Sequence, residues 1–300
     1  MTTDRDKFDI ASATDPGPRE TLEDASRALR LSVCEHLHAA MLIVCDGVGG
    51  NAFGEVASAL AVMAIAPVLA GALAALRPGD SNAGMAPDDL VGLLERALHS
   101  ANHTVIQHAT EHTRLAGMST TAVAGLLIDG LLHVAWTGDS RCYVHGDAGL
   151  RQLTRDHSEV RRLIDAGLIS PRDARSHPLA HTINRFIGHP EACQPETCTA
   201  RIQSGDVVLL CTDGLTDVVC DDEIAECIAA CQRGQVPLDE LPGRLVRQAL
   251  HAGTPDNVTV LCCQYLSGLA AQYREPTLTG AYPAALVSAL PHLLKEIDHE

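Results

Sequence analysis

Apolar and polar positions alternate along the chain in blocks whose period changes from strand to helix and back. Phe8 to Ala13 predicts a first strand, closed by the turn-forming Asp15-Pro16-Gly17-Pro18. Arg30 to Leu37 alternates loosely and predicts a second. Met41 to Cys45 is short, continuous and partly β-branched, the pattern of a buried strand, and it stops at Asp46 with glycines behind it. Gly54 to Leu76 predicts a helix, Arg77 to Pro87 a loop, and Asp88 to Thr113 a second helix capped by Asp88. The period then returns to two. Ser119 to Ile128 and Leu131 to Trp136 flank Asp129-Gly130, a hairpin signal, and Arg141 to His145 and Leu150 to Leu153 flank another turn.

Arg155 to His189 is rich in His and Arg and poor in core candidates, which predicts a surface flap inserted in the sheet. Val207 to Cys211 predicts a strand ending at Thr212-Asp213-Gly214. Helices over Asp221 to Arg233 and Leu238 to Ala252 and a strand over Asn257 to Gln264 follow. Such blocks argue for antiparallel sheets covered by helices, an α+β chain, rather than a doubly wound parallel fold. No linker divides residues 1–266, so they are expected to form one domain; 267–300 is expected to be a tail with an amphipathic helix over Pro283 to Ile297.

Composition narrows this picture. The aromatic residues are few, so the interior must be built from Ala, Leu and Val. A formal charge of −16 argues against nonspecific nucleic-acid binding, which needs a basic surface. Eleven cysteines, an odd number with no C-x-x-C pair, read as reduced small hydrophobes in a cytoplasmic protein rather than as a zinc ribbon. The first ten residues carry no signal-peptide pattern. Val56 to Leu76 is long enough to span a bilayer, but Pro67 and Gly71 interrupt it and Asp46 and Glu55 precede it. A core helix, not a membrane span, is the expectation.

The candidate chemistry is acidic. Asp46, Asp213 and Asp256 share one context, a carboxylate at the end or start of an apolar run, in LIVCDG, VLLCTDG and TPDNVTVLCC. Oxygen ligands delivered from separate strands suit Mg²⁺ or Mn²⁺ better than zinc. Glu23-Asp24 and Asp139 add carboxylates, and Arg19 offers a planar fork for phosphate oxygens. A binuclear site of this kind can acidify water and clamp a phosphoryl group for in-line attack.

Taken in order, these segments resemble the metal-dependent protein phosphatases, the type 2C serine/threonine family. The resemblance is carried by R-x-x-x-E-D at Arg19 to Asp24, DGVGG at Asp46 to Gly50, STTAVAGLL at Ser119 to Leu127, TGDSRCY at Thr137 to Tyr143, TRDHS at Thr154 to Ser158, CTDGLTD at Cys211 to Asp217 and GTPDNVTV at Gly253 to Val260. It covers roughly residues 8 to 266 and implies a four-layer sandwich of two antiparallel sheets flanked by helices, with a flap. It further implies a catalytic domain that hydrolyses phosphoserine and phosphothreonine by attack of a hydroxide bridging two Mn²⁺ or Mg²⁺ ions. Asp46 would bridge the ions, Asp213 and Asp256 would hold the first, and Glu23 and the Gly47 carbonyl the second. Asp24 would orient the attacking water, Asp139 would help hold a weaker third ion, and Arg19 would take the phosphate. Phosphorylated proteins, including a cognate Ser/Thr kinase or its targets, are the implied partners.

Two positions depart from the family pattern. Leu22 stands where Asn usually precedes Glu-Asp, which implies a local change in hydrogen bonding. Val48 stands where many members carry a histidine proposed as acid for the leaving oxygen; that role is left to water on a metal or to a flap histidine such as His157 or His177. Among rival motifs, His108 to His112 matches H-x-x-E-H, but no downstream acidic helix offers a third zinc ligand. Cys227 to Arg233 has the spacing of a cysteine phosphatase without its glycine-rich loop. A catalytically silent phosphatase-fold scaffold is the alternative from another class, and the intact acidic set argues against it.

Overall fold

The computed structural model describes residues 7–32, 38–48, 53–74, 87–170 and 173–266. The expected tail helix, Gly49-Gly50 of the DGVGG segment and most of the loop before Asp88 lie outside them.

Continuous apolar runs become strands because both of their faces are covered. In β3 (His38–Asp46), Met41, Ile43 and Cys45 point to one hydrophobic cluster while Ala40, Leu42 and Val44 point to another. In β9 (Val207–Cys211), Val208 and Leu210 join that second cluster, and Val207, Leu209 and Cys211 a third. Successive side chains of a strand point to opposite faces, so a strand in the middle of four layers shows no polar side. The layers are helices, sheet, sheet, helices.

One sheet runs β2 (Asp24–Ser32), β3, β4 (Ala122–Ile128), β5 (Leu131–Thr137), β8 (Glu196–Arg201). The other runs β1 (Phe8–Asp15), β10 (Val258–Tyr265), β9, β6 (Arg141–Gly146), β7 (Gly149–Gln152). Neighbours are antiparallel throughout. The β4–β5 hairpin closes at Asp129 and Gly130, with φ of 48° and 73°. Two positive φ values are the type I′ turn that matches strand twist, which is why Asp-Gly stands there.

The helix α1 (Gly54–Ala74) and α2 (Pro87–Glu111) cover the first sheet, and α5 (Asp221–Gln232) and α6 (Leu241–His251) the second. α1 is long and apolar enough to cross a membrane. Ala57, Ala61, Ile65, Leu69 and Leu73 join the core under α2, while Pro67 and Gly71 face outward. It is a core helix.

Two expectations need correction, and both concern edge strands. The strand expected over Arg30 to Leu37 is β2, which begins at Asp24 and is described to Ser32. β8, with the sequence ETCTAR, carries no apolar run that predicts a strand. Each has a neighbour on one side only, and edge strands tolerate the polar side chains that hide them from a pattern of apolar runs. The flap lies between β7 and β8. It contains α3 (Glu159–Asp165), capped by the Ser158 hydroxyl, and a single 3-10 turn at Ala174–Ser176. Its C-terminal end is pinned to the core through paired backbone bonds between Thr120 and Ile187, and its first end through the bond from His157 N to the Gly138 carbonyl.

Candidate active site

The strand ends place the carboxylates. Asp24 opens β2 directly opposite Asp46, the last residue of β3. The Asp46 backbone is fixed by the Ser-Thr-Thr segment: Thr121 N and Thr120 Oγ1 donate to its carbonyl at 2.8 and 2.7 Å, and its own N–H donates to Thr121 Oγ1 at 3.1 Å. Gly47 follows because the backbone comes too close for a side chain; a Cβ there would collide with Gly54. Gly47 N donates to the Glu23 carbonyl at 3.1 Å, and Ser58 Oγ donates to that oxygen at 2.6 Å. Residues 16–23 are anchored by Asn257, which accepts from Glu23 N at 2.7 Å and donates to the carbonyls of Pro16 and Thr21. This is the polar anchor of the loop in which Leu22 replaces an amide.

From the second sheet, β9 ends at Thr212 and passes Asp213 into a single helical turn, α4 (Asp213–Thr216). A Cβ at Gly214 would strike the Asn257 carbonyl, so glycine lets the Asp213 and Asp256 loops touch. Thr212 Oγ1 donates to Asp24 Oδ2 at 2.9 Å and accepts from Thr259 N at 2.9 Å, tying the two sheets together beneath the acidic cluster. Asp139 sits in the β5–β6 turn, where Gly138 has φ of 113° and Ser140 Oγ bonds Thr121 Oγ1 at 2.7 Å.

Asp46, Gly47, Asp139, Asp213, Asp256 and Arg19 line one cavity of about 360 Å³. Asp24 lies buried below it, and Glu23 lies to the side against Gly54, within reach of the Glu55 charge. Burial, and then the charges of Asp24, Asp213, Asp139 and Asp256, push the Asp46 carboxyl well above its ordinary range. Burial followed by Asp139 and Asp217 does the same to Asp213. Asp24 is pushed up to about 7 by burial, against the hydroxyls of Thr259 and Thr212. Asp24 Oδ1 and Asp213 Oδ1 are buried without a hydrogen-bond partner. Oxygens left so are costly unless a cation or a proton satisfies them, and an all-oxygen set suits a hard divalent ion. The residues present fit such an ion. Arg19 Nη2 meets Asp256 Oδ2 at 2.8 Å and its Nε donates to the Pro255 carbonyl at 3.0 Å.

The flap histidines fall differently from expectation. His157 is buried, stacked on Trp136 with centroids 6.0 Å apart, and its Nδ1 accepts from Gly138 N. Burial, then the Arg185 charge, drives its pKa down to about 4, so its ring stays neutral and structural. His177 is engaged in its own turn, accepting from Leu179 N. The histidine that reaches the cavity is His181, with Nδ1 3.3 Å from Asp217 Oδ2. Ligand atoms of His181, Asp213 and Asp217 lie within 4.8 Å of one another, the single such cluster among the described residues. Asp217 could have been found as the residue four past Asp213, one helical turn on. His181 carries no sequence signal. His108 and His112 stand 6.2 Å apart with no third ligand among the described residues, and Cys227 is inside α5, so neither rival motif forms a site.

Comparison with known proteins agrees with this geometry. The family described as protein phosphatase 2C matches residues 19–258. The serine/threonine protein phosphatase PstP of Mycobacterium tuberculosis is 35% identical over 244 residues, covering 81% of this chain and 43% of that protein. The chain thus spans less than half the length of that relative. The serine/threonine phosphatase Stp of Listeria monocytogenes is 32% identical over 221 residues, covering 74% of this chain and 82% of that one. The crystal structure of the catalytic domain of PstP in complex with two manganese ions superposes with a TM-score of 0.69 at 32% identity, covering 87% of this chain and 99% of that one. Ordered motifs, sandwich topology and clustered carboxylates all lead to one assignment: the chain belongs to the protein phosphatase 2C family.

Proposed function

We propose that the chain is a Mn²⁺- or Mg²⁺-dependent phosphatase that hydrolyses phosphoserine and phosphothreonine in proteins. The observation that carries this reading is the cost of the acidic cluster: five aspartates from both sheets crowd one sheet edge with buried oxygens unpaired. A binding-only scaffold has no use for such an arrangement. Asp46, Asp213, Asp256, Glu23 and the Gly47 carbonyl would hold two ions, with Asp139 toward a weaker third. Bound divalent ions supply charge neutralisation of the phosphoryl group and an acidified water.

The chain's own residues do the rest. Arg19 binds the phosphate oxygens with its fork, exchanging its present bonds to Asp256 and the Pro255 carbonyl. Asp24, held by Thr212, orients the attacking water from below. Thr120 and Thr121 keep Asp46 aimed into the cavity. The two-manganese complex of PstP supports the choice of metal. Phosphoproteins, including a cognate kinase or its targets, are the substrates this predicts, and the free thiols of the described cysteines fit a reducing cytoplasm.

Phosphate release from a phosphothreonine peptide tests the proposal. Release with Mn²⁺ or Mg²⁺ that stops with excess chelator is the expected result. A folded chain silent with both metals overturns it.

A further inference from the structure

Breaking a phosphate ester of serine or threonine expels an alkoxide, a poor leaving group that needs a proton as the P–O bond opens. Val48, on the turn after Asp46, lines the cavity and has no proton to give. His157 and His177 are committed elsewhere. One histidine remains at the cavity. His181 lines the chamber that holds Arg19 and Asp46, and it also lines a larger one of about 740 Å³ between the flap and α4. It therefore stands where the two join, between the site for phosphate and the space under the flap.

Its position suits contact with a leaving group. Asp217 approaches the ring at Nδ1, 3.3 Å away, and Nε2 lies on the opposite side of the imidazole from that contact. The side chain is 68% exposed, so it can exchange protons with solvent. Asp217, Asp213 and Asp139 line the same space from the core, and Arg141 and Arg175 stand at its larger end. Burial raises the Asp217 carboxyl and the His181 charge draws it back, so the two groups feel one another.

We propose that His181 is the general acid of the reaction, positioned by Asp217, and that the flap thereby supplies a catalytic group as well as a wall for substrate. The proton moves from Nε2 to the departing Oγ of serine or threonine as the ester P–O bond breaks. A water oxygen forms the new bond to phosphorus, and its released proton or solvent restores the imidazolium. The inference rests on the phosphatase reading above.

Leaving-group dependence tests it. Two substrates are compared in the full chain with saturating Mn²⁺: a phosphothreonine peptide, and p-nitrophenyl phosphate, whose phenolate leaves without a proton. In His181→Gln the peptide kcat should fall about a hundredfold, the scale of general acid catalysis, while p-nitrophenyl phosphate changes by no more than about twofold. Added imidazole should restore part of the peptide rate in His181→Ala. Equal losses on both substrates, or a raised Mn²⁺ requirement, would make His181 a metal ligand or a structural group and overturn the proposal; so would no loss on either. A wild-type chain inactive on both substrates sinks the phosphatase reading and this one with it. An active wild type separates the two.

Discussion

Asp24 and Asp46 occupy one rung of the β2–β3 ladder, so two carboxylates from neighbouring strands stand side by side at the sheet mouth. Like charges facing each other across a rung oppose folding, and here burial removes the water that would screen them. Asp46→Asn should therefore abolish turnover and, in excess chelator at neutral pH, raise the melting temperature. A gain of up to about 1 kcal/mol is the scale of a cross-strand side-chain interaction. Thermal denaturation of both proteins in chelator is the measurement. A variant no more stable than wild type would show that the repulsion is already relaxed without metal.

The same cluster fixes how pH and metal act together. Burial raises Asp24 and Asp139 from an ordinary 3.8 to about 7, and it also raises Asp46 and Asp213 well above that ordinary value. A folded-state pKa above the unfolded one means the folded chain binds more protons. Its contribution to stability is full below about pH 4 and is lost as pH rises through about 7. Metal replaces those protons, so the difference in melting temperature between Mn²⁺ and chelator should widen from about pH 5 to about pH 8. His157 works in the opposite sense, losing stability as pH falls from 6.5 toward about 4, but does so equally in both conditions. A difference that stays flat over this range would rule out proton–metal competition.

Asp46, Asp213 and Asp256 could be read from the sequence because each stands at the mouth of a strand buried on both faces, where an apolar run bounded by Asp is conspicuous. The central strands, the main helices and the Asp129-Gly130 hairpin were legible for the same reason: their patterns answer to local geometry. Edge strands β2 and β8 were shifted or missed because one open edge relaxes the demand for apolar residues. His181 and Asp217 show a different limit. Their pairing joins the flap to a loop 36 positions on, and no local period records a contact made only by tertiary folding. His157 has the chemistry of an acid, but its place against Trp136 gives it a packing role instead.

Arg19 separates charge from geometry. Its guanidinium uses Nη2 for Asp256 and Nε for a carbonyl, a forked arrangement that a phosphate can take over. Arg19→Ala should raise KM for the phosphothreonine peptide at least about tenfold, equivalent to about 1.4 kcal/mol. Arg19→Lys should recover little of this, because an ammonium is a point charge without the planar fork. Steady-state kinetics on both variants decides the matter. Full recovery by lysine would reduce Arg19 to a source of positive potential.

Beneath the larger chamber, Arg141 ties the flap's root to the second sheet. Its Nε and Nη2 donate to the two oxygens of Asp156 at 2.9 and 2.6 Å, and its Nη1 donates to the Tyr143 hydroxyl, which in turn donates to Asp221. The pair is largely shielded, at 23% and 16% side-chain exposure. Removing one member leaves the other's charge half-buried, which costs about 3–5 kcal/mol, while replacing both with apolar groups often restores the loss. Arg141→Met should accordingly lower the denaturant midpoint sharply, and Arg141→Met combined with Asp156→Leu should recover most of it. Because Asp139 lies in the short turn that leads into Arg141, the single variant should also need more Mn²⁺ for half-maximal activity. If the double variant stays as unstable as the single, the pair's value lies in its hydrogen bonds to Tyr143 and Gln152 rather than in mutual neutralisation, and the flap root is held by a polar network that hydrophobic packing cannot replace.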